Sequence, residues 1–130
     1  MKRTIERGSA LLAVVVIPLL LAALPLPAVL AVCDNWPPLG DGAATPRGLA
    51  HRVRRWLHHG RGPWTSSCLT RSLVLYAVLR GHGHHPCISL GVEGDSRDFV
   101  AHAWVSLGGV PVDDAPEALA QFRPLMVHGG

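Results

Sequence analysis

Aromatic and lysine side chains are scarce in this chain, and both absences exclude partners. Two Phe and one Tyr among 130 residues are too few for a platform on which bases could stack, so nucleic acid is not an expected partner. The net charge of +3 rests on arginine, Lys2 being the single lysine. Cysteine is sparse too. Cys33, Cys68 and Cys87 are odd in number and include no C-x-x-C pair, which excludes a disulfide framework and leaves at least one thiol free. Three histidines and a thiol crowd into His82-Gly-His84-His85-Pro-Cys87. Ligands so close together on one turn do not complete a tetrahedral site, and no second cluster exists, so neither a metal nor another cofactor is expected.

What the chain has in abundance is an apolar start. Leu11 to Val32 carries no charged side chain, and as a helix it would span roughly 30 Å. A single-pass membrane anchor over residues 1–33, in contact with lipid, is the reading its length and flanking charges favour. A removed signal peptide fits less well, because the run is long and no small-x-small site precedes Asp34. The third reading is an apolar helix packed on the following domain. Pro18, Pro25 and Pro27 suit it, since they would kink or end a helix near Leu24. Orientation stays open. Lys2, Arg3 and Arg7 hold the N-terminus inside, whereas Arg47, Arg52, Arg54, Arg55 and Arg61 pull the other way.

Residues 34–44, rich in Pro, Gly and Asp, read as a linker to a single domain over 45–130. Thr45-Pro46 offers a cap and a first-turn proline, and Leu49, Val53, Trp56 and Leu57 recur at helical spacing, predicting an amphipathic helix over 46–59. Its other face is basic and suits solvent, anionic lipid or an acidic peptide. Gly60 to Pro63 breaks that helix. A second helix, capped by Ser66 or Ser67, runs from Cys68 to Arg80, apolar over so much of its circumference that it must be central. Cys87 to Val92 and Phe99 to Leu107 read as strands, and Gly108-Gly109 as a hairpin turn into Val110 to Asp114. A short helix (Glu117 to Phe122) and a loose tail complete a small α+β domain, its central helix packed on an antiparallel sheet.

The chemistry follows from three positions. Cys68 opens the buried helix, where unpaired N–H groups and the positive dipole end favour a thiolate. His102 lies mid-strand in an apolar context where an imidazole needs a partner. An acid on the next strand would orient that ring, so that His102 takes the thiol proton. A two-residue Gly-Gly loop pairs Leu107 with Val110 and puts Asp113 on the His102 face; a loop one residue longer puts Asp114 there. Local geometry leaves both open.

The run Cys68-Leu-Thr-Arg-Ser-Leu-Val-Leu-Tyr76, with Ala101-His-Ala-Trp-Val105 and Gly109-Val-Pro-Val-Asp-Asp114, resembles the transglutaminase-like cysteine peptidases that remove leader peptides in lasso peptide biosynthesis. The likeness covers roughly Trp56 to Pro116. It implies a papain/transglutaminase-type α+β core and a triad of Cys68, His102 and Asp114, the acid closing the strand after an Asn-or-Gly position that Asp113 occupies. It also implies a precursor peptide as substrate, a separate leader-recognition protein, an ATP-dependent cyclase and a cytoplasmic side for the domain. The glutamine that papain-like enzymes keep before the cysteine is missing here, and the Cys68 N–H is one candidate oxyanion donor. The same triad would serve acyl transfer if an amine replaced water. A non-catalytic module that binds peptide at the membrane is the alternative of another class, opposed by the intact Cys68, His102 and Asp114.

Overall fold

Proline decides how the apolar N-terminus folds. In the computed structural model, which describes residues 2–37, 45–58, 67–94, 100–114 and 116–130, the run forms two helices, α1 (Lys2–Ala23) and α2 (Leu26–Asp34). Pro25 takes the extended cap position of α2 and has no N–H with which to continue α1. The run is thus a broken pair, interrupted near Leu24 as the packed-helix reading has it, and not the single span that an anchor over Leu11 to Val32 would need. Among the described residues no helix is long and apolar enough to cross a membrane. The linker expected over residues 34–44 begins with Asp34, which closes α2; residues 38–44 lie outside the described residues.

Helix α3 (Pro46–His58) starts where Thr45 Oγ1 accepts the Gly48 N–H at 3.1 Å. It buries Leu49, Ala50, Val53 and Leu57, the stripe its spacing predicts. Helix α4 (Cys68–Gly81) is buried at every position from Ser72 to Leu79, so it is the axis of the core. Full burial of each such aliphatic side chain is worth about 1.5–3 kcal/mol. Ala13, Val14 and Ile17 of α1, Val29, Leu30 and Cys33 of α2, and the apolar stripe of α3 all join α4 in one cluster. The apolar start is therefore part of the same core as α4.

A four-stranded antiparallel sheet covers the other side of α4. Its strands are β1 (Cys87–Glu93), β2 (Val100–Leu107), β3 (Val110–Pro111) and β4 (Arg123–Gly129), in the order β3-β2-β1-β4. A short helix α5 (Pro116–Leu119) precedes β4. The tail expected to be loose is thus a strand, and the helix expected to reach Phe122 stops at Leu119. Strand β4 pairs with β1 along most of its length, with Met126 opposite Leu90 and His128 opposite Ile88. Its pattern was weak because Leu125 and Val127 are apolar yet exposed, so the polar–apolar alternation that marks a half-buried strand is missing. Gly108 and Gly109 both have positive φ (56° and 82°), the backbone a two-residue hairpin turn requires.

Candidate active site

The start of α4 is capped by a serine. Ser67 adopts an extended backbone and its hydroxyl accepts the Thr70 N–H at 3.2 Å, one of the two caps expected. The other, Ser66, lies outside the described residues. No acidic side chain occupies the first turn of α4. The first N–H groups of a helix have no partner within it, so at Cys68 they and the positive dipole end favour an anion. Cys68 is there, half-buried.

The histidine and the acid meet, though not by the route strand geometry suggests. Leu107 pairs with Val110 and Ser106 with Pro111, the tight two-residue register, in which a continuing strand would place Asp113 on the His102 face. The ladder ends after the Val112 N–H bonds the Val105 carbonyl at 2.9 Å, and the chain bends through residues 112–114. The bend turns Asp113 to the helices, where Arg54 Nη2 reaches Oδ1 at 2.8 Å and Arg71 Nε reaches Oδ2 at 2.7 Å. Asp114 is left to face His102, Oδ2 lying 3.3 Å from Nε2. Arg54 gives Asp113 a charge-assisted hydrogen bond and Arg71 an ion pair, which together clamp it between the helices, and Asp114 is the aspartate that reaches the ring.

His102 is further held by stacking: Phe122 lies 5.2 Å and Trp104 6.1 Å from its ring, centroid to centroid. Gly91 sits opposite His102 in the sheet. A Cβ there would fall 2.7 Å from the Trp104 ring, so the glycine makes room for the indole beside the imidazole. Strand alternation separates this aromatic group from Val105, which packs into the core. One turn along α4 from Cys68, Ser72 Oγ donates to the Ala103 carbonyl at 3.1 Å and ties the cysteine helix to the histidine strand. Among the described residues no hydrogen bond joins Cys68 to His102. With Nε2 turned to Asp114, Nδ1 is the ring nitrogen left for another partner.

Sequence reasoning missed Arg54, Arg71, Ser72, Gly91 and Phe122. Arg71 had a signal: with Arg80 it is one of two charged side chains in α4, and a charge in a buried helix needs a partner. Arg54 and Phe122 had none, since their positions depend on how the chain returns.

The perturbed titrating groups lie elsewhere. Burial, with the Asp34 carboxylate beside it, pushes the Cys33 thiol up to about 12; its S–H contacts the Leu73 carbonyl at 3.8 Å. Burial also works to raise Asp34, but hydrogen bonds from Tyr76 (2.6 Å) and His128 (2.8 Å), with the charges of His128 and Arg80, together hold its carboxyl below the ordinary value. Tyr76, wholly buried, is raised by desolvation and by Asp34. This cluster fastens the end of α2 to α4 and β4. It also removes Cys33 from consideration as a nucleophile, since a thiol so reluctant to ionise is inert.

Among the described residues no three His, Cys, Asp or Glu side chains converge as metal ligands. A family model described as the transglutaminase-like superfamily matches residues 11–127. No curated protein and no solved structure matches the chain.

Proposed function

The chain belongs to the transglutaminase-like superfamily, and on that premise we propose that it is a thiol peptidase that cleaves a precursor peptide, with Cys68 as nucleophile, His102 as base and Asp114 as the group that orients the ring. The observation that carries the reading is the His102–Asp114 pair at 3.3 Å in a fold whose central helix begins at a half-buried cysteine.

The steps balance as follows. His102 Nδ1 takes the Cys68 proton and the sulfur attacks the peptide carbonyl carbon, forming a C–S bond as the carbonyl π pair moves to oxygen. The Cys68 N–H stabilises that oxyanion. The oxyanion collapses, the C–N bond breaks, and the imidazolium gives its proton to the leaving amine. Water then attacks the thioester, His102 removing its proton, and C–S cleavage returns the thiol. Asp114 holds the tautomer and stabilises imidazolium throughout.

The motif resemblance supports a finer role: removal of a leader in the maturation of a lasso-type ribosomal peptide, alongside a leader-recognition protein and an ATP-dependent cyclase. Members of this superfamily are commonly cysteine peptidases or transglutaminases, so acyl transfer is the competing outcome at the thioester. Incubating full-length protein with a precursor peptide in heavy-oxygen water, with and without an added amine, separates them. Label in the new carboxylate supports hydrolysis, and amine adducts support transfer. Neither product, from folded protein with an intact Cys68, would overturn the enzymatic reading.

A further inference from the structure

Among the described residues the exposed face of α3 carries two arginines, Arg47 and Arg55, whose charge no ion pair neutralises. Arg47, His51 and Arg54 line a cavity of about 430 Å³ together with Val112, Asp113 and Asp114. His51, Arg54, Arg55 and His58 line a second, of about 450 Å³, which adjoins the first at His51 and Arg54. Helix α3 contains no acidic residue. The carboxylates that line the first cavity are committed, Asp113 to Arg54 and Arg71 and Asp114 to His102. Among the described residues Arg47 and Arg55 have no ion-pair partner, and both are exposed. The two cavities share His51 and Arg54 and form one trough that ends at the proposed triad acid, its uncommitted charges being the guanidiniums of Arg47 and Arg55.

We propose that this trough binds an acidic stretch of the peptide substrate, Arg47 and Arg55 each receiving a carboxylate. The proposal rests on the peptidase reading for its substrate class. Arg47 and Arg55 are about 12 Å apart along the helix axis, which an extended peptide covers in about four residues. Acidic side chains spaced by roughly that interval would reach both guanidiniums. The trough also fits a peptide better than a lipid surface. A helix that lies on a bilayer inserts an apolar face beside its cations, and the apolar residues Leu49, Ala50, Val53 and Leu57 of α3 are already buried in the core. A carboxylate paired with arginine gains geometry as well as charge, so the trough would set both the affinity for the substrate and its register over Cys68.

The test uses full-length Cys68→Ala protein, which cannot turn over, and a capped Glu-Ala-Ala-Ala-Glu peptide with a neutral coumarin label, followed by fluorescence anisotropy. Peptides with Gln or Lys in place of Glu, and phosphatidylglycerol vesicles, are the other arms. The Glu peptide should bind tightest, and Arg47→Glu with Arg55→Glu should weaken it by about tenfold or more, as expected for losing charge-assisted hydrogen bonds. Raising ionic strength from about 0.01 to about 0.15 M, which shortens the screening length from roughly 30 to 8 Å, should weaken it in the unsubstituted trough as well, a check that needs no folded charge-reversal variant. Equal binding of the Gln peptide, indifference to the double reversal in folded protein, or binding to the vesicles alone would overturn the proposal. Alkylation of Cys68 in the double reversal made on the native background should be unchanged, so a failed trough and a failed nucleophile are read separately.

Discussion

Asp114 meets His102 at 3.3 Å across a hairpin whose strand pairing ends before it arrives. The contact depends on the residue before it: Asp113, clamped between Arg54 and Arg71, rotates out of the ladder and presents its neighbour to the ring. Two adjacent acids thus have different partners, Asp114 the imidazole and Asp113 the two guanidiniums, and substitutions should separate them.

Asp114→Asn should leave the melting temperature near that of the parent and lower kcat for precursor cleavage. In a serine enzyme the corresponding loss is roughly 10⁴-fold, and a cysteine enzyme resting as an ion pair should lose less. Asp113→Ala should instead cost about 1–3 kcal/mol of stability, because two guanidiniums lose a charged acceptor that is largely buried. Thermal melts beside steady-state rates check both. A stable Asp113→Ala protein with normal turnover would show that the clamp does not position Asp114.

Iodoacetamide should modify Cys68 faster than Cys33 or Cys87 at neutral pH. Cys68 has the helix start, while Cys33 is wholly buried with its thiol raised to about 12. Peptide mapping by mass spectrometry of briefly alkylated folded protein measures the three rates, and equal rates would remove the case for an activated thiol.

Ile17 is wholly enclosed in the core that also holds α4. Ile17→Ala should destabilise the protein by about 2–5 kcal/mol, the cost of an aliphatic cavity, and removal of residues 1–33 should expose Leu73 and its neighbours and cause aggregation. Chemical denaturation of the point variant and light scattering of the truncated chain are the measurements. A truncated chain that stays monomeric with native circular dichroism would show that α1 and α2 are dispensable to the core.

Stability should fall in acid partly through Asp34. Its carboxyl is held below the ordinary 3.8 when folded, so its contribution is complete above that value and disappears as pH drops through the folded one. Asp34→Asn should therefore melt lower than the parent near neutral pH, and the difference should shrink as the solution is acidified below about pH 4. Melting curves of both proteins across that range test the sign; a gap that widens in acid would refute it.

Much of this was legible in the chain alone. The cap at Thr45, a serine cap at Ser66 or Ser67, the stripe of α3, the apolar circumference of α4, the break at Pro25 and the glycine pair at the hairpin are local facts. Each follows from the periodicity or the backbone freedom of a few consecutive residues, and so do Cys68 at a helix start and His102 in a strand. Tertiary structure decided the rest. It made β4 from a tail whose strand pattern was blurred by exposed apolar residues, and gave the apolar start a shared core with α4. It turned Asp114 toward His102 and Asp113 toward Arg54 and Arg71, which approach from two separate helices. These outcomes depend on which distant surfaces and charges come together once the core closes, and no window of neighbouring residues contains that information.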